Sequence, residues 1–100
     1  MTEIINYGLI GFSGKMGEEI SKLFSEKGYI CTFKKNSTIE ELDNTRNIDV
    51  IIDFSSPNAL ADSIKYSKDF QSPLIVGTTG LTIAQIEQLK ELSKKVPVVQ

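Results

Sequence analysis

The residues best placed to do chemistry are Gly11-Phe12-Ser13-Gly14-Lys15-Met16-Gly17. They follow an apolar run, Ile4 to Ile10, and open an amphipathic segment, Glu18 to Lys27. A strand that breaks at glycine and restarts as a helix leaves backbone N–H groups pointing out of a tight turn. With the positive end of the helix dipole, those donors suit an anion such as a pyrophosphate. Gly11 can adopt dihedrals that a side chain forbids. Gly14 lets backbone approach a phosphate, and Gly17 lets the helix lie tight on the sheet. The spacing G-x-x-G-x-x-G is one variant of the dinucleotide fingerprint. Such glycine triplets also occur in plain βα turns, and the strand-before, helix-after context favours the nucleotide reading.

Further polar or glycine-rich clusters follow later apolar runs. Gly77-Thr78-Thr79-Gly80 offers two hydroxyls at a strand tip. It reads either as a floor for the nicotinamide end of a dinucleotide or as a left-handed turn into a helix. Asp53-Phe54-Ser55 either lines a cofactor or uses Asp53 to satisfy local amides, and the second reading is preferred. An NAD fingerprint expects Asp or Glu about 20 residues past the glycines, to hold the ribose 2′-hydroxyl. Phe33-Lys34-Lys35-Asn36 stands there instead. Two ammonium groups suit a 2′-phosphate, and so NADPH, although lysine pairs also occur in solvated loops.

The chain has no histidine, which removes histidine acid–base catalysis and histidine metal sites from these residues. One cysteine, Cys31, cannot form an internal disulfide and reads as a small buried hydrophobe. The carboxylates show no metal-ligand spacing. A net charge of −2 gives no basic field for nucleic acid or an anionic membrane. No signal peptide and no apolar run long enough to span a bilayer is visible. A cytoplasmic, reduced setting is expected.

Those clusters need elements to position them. Ile4–Ile10, Tyr29–Phe33, Val50–Ile52, Leu74–Val76 and Pro97–Val99 read as strands. The intervening helices are expected to bury Met16, Ile20, Leu23 and Phe24; Leu60, Ala61, Ile64 and Ser67; and Ile83, Ile86, Leu89 and Leu92. Gly28 is placed to end the first helix. Thr38-Ile39-Glu40-Glu41 has capping-box form and predicts a short helical turn through Leu42, before a polar loop at 43–47. Ser56-Pro57 predicts an N-cap and first helical residue; Thr82 to Gln85 predicts another capping box. Regular alternation argues one α/β domain over residues 1–100, a doubly wound parallel sheet in three layers. Its ligands would sit outside the strands' carboxyl ends, where the three clusters gather.

Gly-Phe-Ser-Gly-Lys-Met-Gly at 11–17, Asp-Phe-Ser-Ser-Pro at 53–57, Val-Gly-Thr-Thr-Gly at 76–80 and Val98-Val99-Gln100 fall in order. Together they resemble the amino-terminal Rossmann-type domain of the dihydrodipicolinate reductases, over nearly the whole chain. The resemblance implies that Gly11, Phe12, Ser13, Gly14, Lys15 and Met16 wrap the pyrophosphate of NADPH or NADH. Lys15 stands where the family usually has arginine. Lys34 and Lys35 would lie at the adenosine ribose, and Gly77, Thr78 and Thr79 at the nicotinamide ribose and carboxamide. The family reduces a cyclic imine or enamine dicarboxylate of the diaminopimelate and lysine pathway. Its substrate domain, with a His-His…Lys motif and most tetramer contacts, has no counterpart in these residues. The resemblance thus implies a piece truncated before the substrate domain, holding no catalytic residue. It is expected to be monomeric and to bind cofactor without turnover, whereas the full-length enzyme would be a homotetramer. The rival reading is a non-catalytic CoA- or nucleotide-sensing module of the same fold.

Overall fold

The computed structural model describes residues 5–36, 38–43 and 47–100. Ile4, Ser37 and residues 44–46 of the expected first strand, polar stretch and loop lie outside the described residues. The elements are β1 (Asn6–Ile10), α1 (Lys15–Glu26), β2 (Ile30–Lys35), β3 (Glu40–Leu42), β4 (Val50–Asp53), α2 (Leu60–Phe70), β5 (Leu74–Val76), α3 (Ile83–Leu92) and β6 (Val98–Val99). A 3₁₀ turn, Pro57–Ala59, leads into α2. The sheet order is β3-β2-β1-β4-β5-β6. Every neighbouring pair is parallel except β2 with β3.

Side-chain alternation along the strands builds two cores, one on each face. On one face α1 lays Ile20 and Phe24 over Tyr7, Leu9 and Ile52. On the other, Leu60, Ile64, Leu89 and Leu92 of α2 and α3 meet Ile10, Phe33, Ile51, Leu74 and Val76. The result is the three-layer α/β fold expected of a Rossmann-type domain.

The β3 segment corrects an expectation. The capping-box pattern at 38–41 does not open a helix. Asn36 takes control of the chain there: its Oδ1 accepts from the amides of Thr38 (2.9 Å) and Ile39 (2.7 Å). Its own amide donates to the Ile39 carbonyl at 2.9 Å. This Asx turn folds residues 40–42 back along β2, in register Lys35↔Glu40 and Lys34↔Glu41. Opposite charges then face each other across the ladder.

Other departures are smaller. Ser56 makes no side-chain cap; the proline starts the 3₁₀ turn, and α2 begins at Leu60. Met16 and Leu23 are half exposed and Ile83 is 81 % exposed, because α1 meets the sheet through Gly17, Ile20 and Phe24 while Ile83 begins α3 at the rim. Ala61 is exposed, and the inward positions of its helix go to Leu60, Ser63, Ile64 and Ser67. Cys31 is also exposed rather than buried. Its sulfur is nonetheless tucked towards the Phe33 carbonyl at 3.4 Å. Burial of that sulfur pushes the thiol pKa up. Gly28 ends α1 with φ +81°, and both hydrogen bonds of the Thr82–Gln85 capping box are made.

Candidate functional site

The strand order sets the tips of β1, β4 and β5 side by side. Contacts join the three loops into one rim. Gly11 has φ +84°, a left-handed conformation that L side chains rarely adopt. A Cβ there would stand 2.9 Å from Cβ of Ser55. At the other end, a Cβ on Gly77 would fall 1.8 Å from Cε1 of Phe54, so the Phe54 ring lies flush against that glycine. The loop after β4 therefore bridges the turn after β1 and the turn after β5. Asp53 holds this bridge in shape. It is fully buried and accepts from the Ser55 amide (2.8 Å), the Ser55 hydroxyl (2.5 Å) and the Ser63 hydroxyl (2.6 Å). This is the local, amide-satisfying role.

The glycine turn pairs one tightly packed glycine with one open glycine. Gly17 is buried, and a Cβ on it would sit 2.2 Å from the Gly11 carbonyl oxygen, so α1 starts hard against the turn. Gly14, the N-cap of α1, is exposed and open by contrast; a Cβ there would meet only the Gly11 oxygen at 3.5 Å. The Gly11 amide donates to the Lys35 carbonyl at 2.7 Å and the Gly14 amide to the Gly11 carbonyl at 3.2 Å. The amides of Phe12, Ser13, Lys15 and Met16 donate to no protein group among the described residues. Unsatisfied first-turn donors of this kind attract anions.

Beside the turn lies a cleft of about 580 Å³. Gly11, Ser13, Gly14 and Lys35 line it, as do Asn36, Phe54, Ser55 and Asp62. Phe12, Lys15, Met16, Lys34, Gly77, Thr78 and Thr79 do not line it; they belong to the glycine turn and start of α1, to β2 and to the turn after β5. The two lysines part company because neighbours on a strand point to opposite faces. Lys34 turns to the α1 side, 5.0 Å over the Phe12 ring and 3.2 Å from Glu41. Lys35 turns to the cleft, 3.8 Å from Glu40. Glu40 also accepts a hydrogen bond from the Tyr66 hydroxyl, which pushes the Tyr66 pKa up to about 12. Thr78 Oγ1 is buried and finds no hydrogen-bond partner among the described residues.

Sequence reasoning gave no role to Asn36 or Asp62, and named Ser55 only within the less favoured, cofactor-lining reading of residues 53–55. Asn36 Nδ2 donates to Ser13 Oγ at 3.0 Å, tying the β2–β3 turn to the glycine turn. The visible signal was Asn at a strand end, a turn former in its own right. Among the described residues no His/Cys/Asp/Glu group could hold a metal ion, and no helix is long and apolar enough to cross a membrane.

A parallel sheet whose switch point carries a glycine turn at a helix start defines a Rossmann-type nucleotide-binding domain. Residues 25–100 match the family described as dihydrodipicolinate reductase, N-terminus, and the chain belongs to that family. It is 42 % identical over 98 residues to the 4-hydroxy-tetrahydrodipicolinate reductase of Thermosipho africanus, covering 96 % of this chain and 43 % of that protein. The enzyme of the same name from Rickettsia rickettsii is 36 % identical over 100 residues, covering 96 % and 42 %. That of Bdellovibrio bacteriovorus is 36 % identical over 97 residues, covering 95 % and 42 %. The chain thus spans less than half the length of these curated relatives.

Proposed function

We propose that residues 1–100 form the nicotinamide-dinucleotide-binding domain of a cytoplasmic reductase. The whole enzyme would convert 4-hydroxy-tetrahydrodipicolinate, a small cyclic dicarboxylate, to tetrahydrodipicolinate in diaminopimelate and lysine biosynthesis. The observation that carries this is the set of free amides at Phe12, Ser13, Lys15 and Met16, in the turn whose Gly11, Ser13 and Gly14 line the cleft. The substrate is that for which the relatives are named.

The residues fit NADPH or NADH. The free amides and the α1 dipole hold the pyrophosphate, with open Gly14 admitting it to close range and Lys15 adding charge at the helix start. Lys35 and Asn36 face the adenosine ribose. At the far end, Thr78 Oγ1 is a buried hydroxyl in want of a partner, and a nicotinamide ribose or carboxamide provides one. Gly77 and Thr79 flank it on the rim, and the Phe54 ring walls the space between the two ends. The bound nicotinamide supplies a hydride; this chain's part is to grip and orient its carrier.

Among the described residues nothing aligns a substrate carbon, so the domain alone turns nothing over. With the family's tetramer contacts lying mostly in the substrate domain, it binds cofactor as a monomer. The homotetramer belongs to the whole enzyme. Calorimetric titration of the chain with NADPH, NADH and CoA tests the reading. Saturable binding of a nicotinamide cofactor is expected, with no cofactor consumed when substrate is added. CoA binding without response to either nicotinamide cofactor would replace this reading with a CoA-sensing module.

A further inference from the structure

We propose that Glu40 sets how strongly this chain prefers a 2′-phosphorylated over an unphosphorylated adenosine ribose, by serving as the counter-ion of Lys35 at the cleft's edge. The inference rests on the dinucleotide reading above. Of the lysine pair, only Lys35 lines the cleft. Its register partner on β3 is Glu40, whose Oε1 lies 3.8 Å from the Lys35 ammonium. Glu40 is no free rotor. The same oxygen accepts from the Tyr66 hydroxyl. The Tyr66 ring is in turn anchored on α2, packing on Phe33 at 4.8 Å between centroids and stacking with Phe70 at 6.1 Å. Asp62, one helical turn before Tyr66, puts a carboxylate in the cleft wall itself.

A 2′-phosphate arriving here meets a cation already paired and the Asp62 carboxylate in the same cleft wall. It must share Lys35 with Glu40. A 2′-hydroxyl faces no such competition, because it can donate to a carboxylate. Glu40 is thus a positioning residue that acts through Lys35. The Lys35 side chain is 23 % exposed, so the pair is less screened than the Lys34–Glu41 pair, whose lysine is 42 % exposed.

The test is the ratio of NADPH to NADH affinity, measured by calorimetry on the chain and its variants. Glu40→Gln keeps an acceptor for Tyr66 and removes the charge. It is expected to raise the ratio about two- to fivefold, the size of a partly exposed ion pair. Glu41→Gln makes the same charge change one residue away, on the lysine that does not line the cleft, and is expected to leave the ratio unchanged. Adding Lys35→Gln to Glu40→Gln is expected to abolish the gain. An unchanged ratio in Glu40→Gln, or equal rises in both glutamate variants, would overturn the proposal while leaving cofactor binding intact. A wild-type chain that binds neither cofactor would overturn the dinucleotide reading itself and this proposal with it. A thermal melt of each variant separates these outcomes from loss of the fold.

Discussion

Gly14 and Gly17 are the same residue type three positions apart, yet they answer to different forces. Gly17 is demanded by packing, since a methyl group there would stand 2.2 Å from the Gly11 carbonyl oxygen. That oxygen belongs to backbone and cannot swing aside. Gly17→Ala should therefore destabilise the chain by about 2–3 kcal/mol, read from its urea midpoint. Gly14 has φ −75°, open space above it and only an ordinary contact below. Gly14→Ala should leave the midpoint within about 0.5 kcal/mol and weaken dinucleotide binding instead. If the two alanine variants lost stability equally, the division between a packing glycine and a ligand-facing one would be wrong. The pattern G-x-x-G-x-x-G made the turn legible and already set Gly14 to ligand approach and Gly17 to helix packing; the distances at Gly17 agree with its packing role.

Among the elements, the β2–β3 hairpin is where reading the sequence and folding the chain part ways. Thr38 to Glu41 has the letters of a capping box, and local letters cannot reveal that Asn36 already holds the Thr38 and Ile39 amides. Once those donors are taken, the segment pairs with β2. Strands with a strong apolar run, such as Val50–Ile52 and Leu74–Val76, were legible because burial on both faces leaves them no other home. Met16, Leu23 and Ile83 misled for a related reason: helical periodicity marks an apolar stripe but not how much of it the sheet covers. The hairpin also yields a pH prediction. The Glu40 carboxylate hydrogen-bonds the protonated Tyr66 phenol and raises its pKa in the folded state. A raised folded pKa means that this contribution is complete below the ordinary tyrosine pKa, roughly 10. It is lost as pH climbs through the folded value of about 12. The stability difference between wild type and Tyr66→Phe should therefore shrink across that window. A difference that stays constant with pH would show that Tyr66 contributes only its ring.

At the scale of the whole molecule, strand order does the assembling. Residues 11–17, 53–56 and 77–80 are far apart in sequence and become one rim because β4 lies between β1 and β5. The alternation of strands and helices was enough to foresee that gathering, since parallel sheets present their carboxyl ends together. It could not show that Phe54 fills the gap against Gly77, or that Lys34 and Lys35 face opposite sides of the sheet. Both depend on how side chains sort across a folded sheet. The family match and the relatives agree with the class of domain, while the length of those relatives leaves more than half of each outside the comparison.

The central claim is that one dinucleotide lies along this rim, phosphates on the glycine turn and nicotinamide by Thr78. Amide chemical-shift mapping of the ¹⁵N-labelled chain during NADPH titration tests it most directly. The largest saturable shifts are expected at Phe12 to Met16 and at Gly77 to Thr79 together. Shifts confined to one of these segments, or centred on the α2–α3 surface instead, would contradict it.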